Sequence, residues 1–225
     1  MSESLVVIPA YNEESTISNV IKQCAKFCDV LVVDDGSIDD TRSTSLNAGA
    51  IVLSNECNKG YEHSLNVGYA YASAKNYKVM VSMDGDGQLP PDRLPEFLIA
   101  IEKGASLVVG RREQKPRLCE KLLALSAARL SDLKDPYCGM KAYDLRALKR
   151  PSFSVYDSIG TSLALDYLEM GLKCENIDIE ISEREGISKF GGKLKSELKL
   201  SRSTITAVYR LLRNAMLKPG TNNND

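Results

Sequence analysis

Asp84 and Asp86 lie in the stretch VMVSMDGDGQ (79–88), where an apolar run stops abruptly in two carboxylates one residue apart. Hard oxygen ligands at that spacing suit Mg²⁺ or Mn²⁺, and those cations in turn suit phosphates. A glycine follows each aspartate, Gly85 and Gly87, so the backbone is free to turn and let the oxygens converge. Taken alone, Asp-Gly-Asp-Gly is equally the pattern of a plain polar turn. It is not an EF-hand, because counting from Asp84 the sixth and twelfth positions hold Leu89 and Pro95 instead of glycine and glutamate. Other apolar runs also end in acid: Glu13 follows LVVIPAYN, and Asp34-Asp35-Gly36-Ser37 follows VLVV. Carboxylates repel phosphate. They can instead hold a cation that neutralises a diphosphate, or accept hydrogen bonds from a base and ribose.

Several other chemistries are excluded. PAYNEE (9–14) contains no glycine, so the first strand lacks the Gly-x-Gly-x-x-Gly turn of a dinucleotide site, and Gly-Lys-Ser/Thr is absent as well. His63 is the only histidine, and the six cysteines (24, 28, 57, 119, 138, 174) form no Cys-x-x-Cys. Zinc sites and histidine-dependent triads are therefore set aside, and reduced, mostly buried thiols of a cytosolic protein are expected. The 225 residues, 43% hydrophobic and 26% charged, make one domain or one domain with an appendage. A net charge of −1 argues against a nucleic-acid partner. The charge is uneven: from Gly186 onward eight basic residues face only Glu197 and Asp225, a net +6 that leaves −7 on the first 185 residues. No signal peptide precedes Leu5, and no apolar run reaches the roughly 18 residues of a membrane span, so the expectation is a cytoplasmic protein that at most lies on a membrane.

The elements that must position the acids follow from periodicity. Strands are predicted at Leu5–Ile8, Val30–Val33, Ala50–Leu53, Lys78–Met83 and Leu107–Val109. Helices are predicted between them: Glu13–Phe27, a short one capped by Asp39, Asp40 or Thr41, Glu62–Ala74, and one opened by Pro90-Pro91-Asp92 and running to Glu102. This alternation predicts an α/β sheet with mostly parallel strands, whose ligand crevice lies beyond the carboxyl ends of the strands. The loops Pro9–Glu13, Asp34–Ser37, Asp84–Gln88 and Gly110–Arg112 should then share one edge. Further on, the pattern predicts a helix over Arg117–Leu133, a turn at Asp135–Lys141 leading into an extended segment, and a helix over Ile159–Met170. An alternating strand at Glu175–Ile181 and a basic amphipathic helix over Ser196–Leu217 complete it.

In order along the chain, PAYNE (9–13), VDDGS (33–37), NKGYEHSLNVGYAYA (58–72), DGDGQLPPD (84–92), GRR (110–112), DPYCGMK (135–141) and REGISKFGG (184–192) resemble glycosyltransferase family 2. The branch they resemble transfers sugars to dolichyl or polyprenyl phosphate. The resemblance covers roughly residues 4–195 and implies a GT-A fold, a Rossmann-like sheet flanked by helices. It implies a GT-A domain over 1–195, with a nucleotide-sugar half (1–110) and an acceptor half with closing loop (111–195), followed by a basic amphipathic helix and tail over 196–225. Carried over by position, Pro9, Ala10, Tyr11, Asn12, Glu13, Asp35, Gly36, Lys59, Gly60, Asp84, Gly85 and Asp86 line the nucleotide sugar. Asp86 with Gln88 would ligate Mg²⁺ or Mn²⁺. Arg117, Arg129, Ser188 and Lys189 would hold an acceptor phosphate. The 111–117 loop is shorter than that branch usually has.

The resemblance further implies an inverting hexosyl transfer from a UDP- or GDP-sugar, in the making of cell-surface polysaccharide. Arg184 and Lys189, in Arg-x-x-Gly-x-Ser-Lys, would stabilise the leaving diphosphate. A phosphate acceptor is already anionic and needs no general base. A hydroxyl of a growing glycan would need one, and Asp157 is the candidate, with a helix cap as its alternative role. The third reading is a non-catalytic nucleotide-sugar-binding subunit. A membrane surface, a membrane partner protein and a second copy of the chain are the partners compatible with the basic C-terminal stretch.

Overall fold

The computed structural model of the chain describes residues 3–113, 133–148 and 160–182. Strands β1 (Ser4–Ala10), β2 (Asp29–Asp34), β3 (Ile51–Ser54), β4 (Val79–Ser82) and β5 (Leu107–Arg112) form on the five apolar runs marked by the sequence. Two more follow, β6 (Lys141–Asp144) and β7 (Cys174–Ile179). The α-helices among the described residues are α1 (Ile17–Cys24), α2 (Thr41–Asn47), α3 (Tyr61–Ala74), α4 (Leu94–Glu102) and α5 (Ser162–Glu169).

All seven strands belong to one sheet, in the order β3-β2-β1-β4-β6-β5-β7. β1 pairs in parallel with β2 on one side (Ile8↔Val32) and β4 on the other (Val7↔Ser82). Val6–Ile8, Leu31–Val33, Met80–Val81 and Leu107–Val109 are fully buried, which is why their β-branched runs lack alternation. Ile17 and Ile21 of α1 and Leu94 and Phe97 of α4 are buried with the sheet in the same core. Each such side chain contributes about 1.5–3 kcal/mol.

β6 is where the structure adds to the expectation. The sequence marks 141 onward only as extended, but β6 inserts antiparallel between β4 (Ser82↔Lys141) and β5 (Val109↔Lys141). Its first residue, Lys141, therefore lies at the edge where β4 and β5 end. β5 crosses the 110/111 boundary, and the strands of both halves share this sheet. α1 begins at Ile17, later than expected, because residues 13–16 form a turn in which the Thr16 and Ile17 amides both donate to the Glu13 carbonyl. The five described cysteines are free thiols, with Cys57 exposed, Cys174 half-buried and the others buried. No helix among the described residues is long and apolar enough to cross a membrane. The helix expected over Arg117–Leu133, save Leu133 itself, and the tail over 196–225 lie outside the described residues.

Candidate functional site

The loops after β1, β2 and β4 meet at the carboxyl edge of the sheet and are stitched to one another. Pro9 and Ala10 are the buried last residues of β1, and the Ala10 carbonyl accepts from the Asp35 amide at 2.8 Å. Tyr11, Asn12 and Glu13 follow, half-buried. The Asn12 amide donates to Ser37 Oγ (2.9 Å), its Oδ1 accepts from the Ile38 amide (2.9 Å), and the Glu13 amide donates to Thr41 Oγ1 (2.7 Å). Asp39 accepts from both the amide (3.0 Å) and the hydroxyl (2.5 Å) of Thr41. The N-cap residue of α2 is Asp40, which makes no side-chain cap bond; Asp39 instead holds the first helical residue, Thr41.

Asp34 and Asp35 are 3% and 4% exposed. Asp34 Oδ1 accepts from the Ser37 amide at 3.1 Å. Asp35 reaches a third loop: Oδ1 accepts from Asn55 Nδ2 (2.8 Å) and the Lys59 amide (2.9 Å), and Oδ2 accepts from the Gly60 amide (2.7 Å). This carboxylate fixes the start of α3, bringing Gly36, Lys59 and Gly60 together. Gly36 is close to the opposing loop, with room for no side chain: a Cβ would stand 2.7 Å from the Cys57 carbonyl carbon.

Asp84, Gly85, Asp86 and Gln88 follow β4. Gly87 takes the left-handed turn (φ 74°), whereas Gly85 is small for packing, since a Cβ there would come within 3.2 Å of Ile17. The Gly85 carbonyl accepts from Thr16 Oγ1 at 2.7 Å, tying this loop to α1. Asp84 is half-buried and accepts from the Tyr61 hydroxyl at 2.9 Å. Burial, reinforced by the neighbouring charge of Asp86, pushes the Asp84 carboxyl up to about 6. Asp86 Oδ1 accepts from the Gln88 amide (3.1 Å), and Gln88 Nε2 donates to the Ser182 carbonyl (3.4 Å) beyond β7. Two adjacent hard carboxylates whose mutual charge raises one carboxyl are a donor set that fits Mg²⁺ or Mn²⁺. No cluster of three or more His, Cys, Asp or Glu side chains that could hold a metal occurs among the described residues. With substrate phosphates present, Mg²⁺ needs only one or two protein carboxylates.

Three neighbours of Asp84 lie in stretches that carry the resemblance, 58–72 and 135–141, yet sequence reasoning assigned them no role. Tyr61 sits on the first turn of α3. Gly139 faces the carboxylate so closely that a Cβ would stand 2.2 Å from Asp84 Oδ2. Lys141, 2% exposed, donates to the carbonyls of Cys138 and of Gly160 (3.1 Å), and burial lowers its ammonium below the ordinary lysine range. The arginines of GRR are engaged within the fold. Arg112 forms a two-pronged ion pair with Asp135 (2.8 and 2.9 Å), and Arg111 pairs with Asp178. Asp157, Arg117, Arg129, Arg184, Ser188 and Lys189 lie outside the described residues.

A mostly parallel α/β sheet with acids at its carboxyl edge and no glycine-rich phosphate turn is the frame of this site. The chain belongs to glycosyltransferase family 2: the family model Glycosyl transferase family 2 matches residues 5–121. It is an enzyme that transfers a sugar from a nucleotide sugar. It is 28% identical over 215 residues to polyprenol monophosphomannose synthase of Mycolicibacterium smegmatis, covering 84% of this chain and 81% of that one. It is 27% identical over 219 residues to undecaprenyl-phosphate mannosyltransferase of Micrococcus luteus, covering 86% and 89%. Among solved structures, glucosyl-3-phosphoglycerate synthase from Mycobacterium tuberculosis, in complex with Mn²⁺, UDP and glucosyl-3-phosphoglycerate, superposes with a TM-score of 0.71 at 22% identity, covering 97% of this chain and 81% of that one. That likeness is one of fold.

Proposed function

We propose that this enzyme is an inverting, cation-dependent hexosyltransferase that moves a sugar from a UDP- or GDP-sugar to a polyprenyl phosphate. The observation that supports the acceptor is chain-long similarity to enzymes named for polyprenol and undecaprenyl phosphate. The donor reading rests on Asp84 and Asp86 at the end of β4, beside the loops after β1 and β2. Tyr11–Glu13 and Gly36 line the base and ribose, and Asp35 holds Lys59 and Gly60 in place beside them. Asp84 contacts the ribose and sugar side. Asp86, with Gln88, would hold Mg²⁺ or Mn²⁺, as the Mn²⁺ and UDP complex of the structural neighbour suggests. The cation would neutralise charge on the diphosphate.

The remaining steps fall to the chain itself. An acceptor phosphate oxygen attacks the anomeric carbon from the face opposite the leaving diphosphate and needs no proton removed. Arg117, Arg129 and Ser188 hold the acceptor phosphate, while Arg184 and Lys189 balance the charge growing on the leaving group. With a glycan hydroxyl as acceptor, Asp157 would serve as base. The catalytic unit spans 1–195, the basic stretch of 196–225 meets a membrane surface, and the reaction runs on its cytoplasmic side.

The test supplies radiolabelled UDP- and GDP-hexoses with undecaprenyl phosphate in detergent, with Mn²⁺ or EDTA. Label should move to the lipid fraction with inverted anomeric configuration, and EDTA should abolish it. Label that reaches only water or a glycan hydroxyl, or transfer indifferent to EDTA, overturns the proposal.

A further inference from the structure

Gly160 opens the segment leading into α5, and it is gripped from two other elements. Its amide donates to Glu62 Oε2 at 2.8 Å, on the first turn of α3. Its carbonyl accepts from the buried Lys141 ammonium at 3.1 Å, at the first residue of β6. Gly160 holds φ at 68°, and a Cβ there would stand 2.8 Å from Tyr61 Cε1, so the tyrosine ring packs directly on its backbone. Tyr61 directs its hydroxyl onto Asp84 Oδ1 at 2.9 Å. Across from the phenol, Asp84 rests on the bare Cα of Gly139, whose carbonyl accepts from Ser82 Oγ at 2.7 Å. The Asp84 carboxylate therefore has little freedom: one oxygen is tied to a rigid ring, and the group is backed by a backbone with no side chain.

We infer that Tyr61 is a positioning residue for the transfer reaction, setting Asp84 toward the donor, and that Glu62, Gly160 and Lys141 set Tyr61. The inference rests on the reading of Asp84 as a donor contact. A carboxylate raised partly out of water gains most from one well-placed neutral donor, because a hydrogen bond to a charged acceptor is among the stronger ones. A phenol does this with only two side-chain torsions, both restricted here by the packing on Gly160. Phenylalanine at 61 would fill the same space and leave Asp84 free to rotate. The arrangement also joins the two halves of the chain: the backbone at 160 and the donor-side aspartate share one ring.

A double-mutant cycle tests this. UDP and GDP, each with Mn²⁺, are titrated calorimetrically into the full chain as wild type, Tyr61→Phe, Asp84→Ala, the double variant and Gly160→Ala. With the diphosphate that wild type binds, Tyr61→Phe should weaken binding by about 3–10-fold, the net scale of one ordinary hydrogen bond. In the Asp84→Ala background the same change should cost less than about twofold, since contacts acting through one partner are not additive. Gly160→Ala should reproduce the loss by displacing the ring. Unchanged affinity of Tyr61→Phe, or an equal loss with and without Asp84, would overturn the inference while leaving the donor site standing. Failure of wild type to bind either diphosphate would overturn the donor-site reading itself, and the inference with it.

Discussion

Asp35→Asn is a severe test of how the site is built, because it changes one oxygen to a nitrogen and little else. Asp35 is 4% exposed and accepts three hydrogen bonds, two at Oδ1 and one at Oδ2. An asparagine offers one acceptor oxygen. Its best orientation keeps that oxygen toward Asn55 and Lys59 and turns its amide nitrogen to the Gly60 N–H, now donor against donor. One bond to a charged acceptor is lost and two are weakened to neutral ones. At about 1.5–3 kcal/mol for the first and a few tenths to 1 kcal/mol for each of the others, the expected destabilisation is about 2–5 kcal/mol. Urea denaturation followed by circular dichroism should show the midpoint fall at unchanged slope. The start of α3 hangs on this carboxylate, so diphosphate affinity should fall as well. Asp40→Asn, on an exposed side chain five residues on, is the control and should change stability by less than about 0.5 kcal/mol. Asp35→Asn unfolding within that same margin of wild type would refute the claim that Asp35 organises the three loops.

Other outcomes follow from the same geometry. The Asp84 carboxyl at about 6 stands above its ordinary 3.8, so its protonated form favours the folded state. That contribution is fully present below about pH 4 and is lost as pH rises through 6; in EDTA at pH 7.5, Asp84→Asn should therefore be more stable than wild type by about 1–3 kcal/mol, the advantage vanishing below pH 4, while transfer is abolished. Denaturation curves at the two pH values check this, and equal stability at pH 7.5 would refute it. Gly139→Ala places a Cβ 2.2 Å from Asp84 Oδ2 and should lower diphosphate affinity at least about tenfold, since the aspartate must move. Calorimetry measures it. Arg112→Ala leaves the half-buried Asp135 without its two-pronged partner and should cost about 2–3 kcal/mol, whereas Arg111→Ala, in an exposed pair, should cost under about 1 kcal/mol. Melting curves of the two variants should separate clearly.

Much of this arrangement was legible in the sequence because it is local. Apolar runs of four to seven residues stop in acid at Glu13, Asp34 and Asp84, and a parallel sheet brings all strand ends of one sense to one edge. From that rule alone the loops after β1, β2 and β4 had to meet, and Asp84 and Asp86 had to stand among them. The carboxyl edge was determined by order and periodicity. What each carboxylate does there was decided by tertiary structure. Asp35 is engaged by residues 20 to 25 positions away, Tyr61 reaches Asp84 across 23, and Ser82 reaches Gly139 across 57. Periodicity over a dozen residues carries no trace of such pairs. β6 was hidden because KAYD is no apolar run, unlike the equally short β3 and β4, and only the edges of β4 and β5 define its place. Once β6 is inserted, Lys141 and Gly139 come beneath the Asp-Gly-Asp-Gly turn. Burial there raises the carboxyl of Asp84, which nothing in the spacing of Asp-Gly-Asp-Gly foretells.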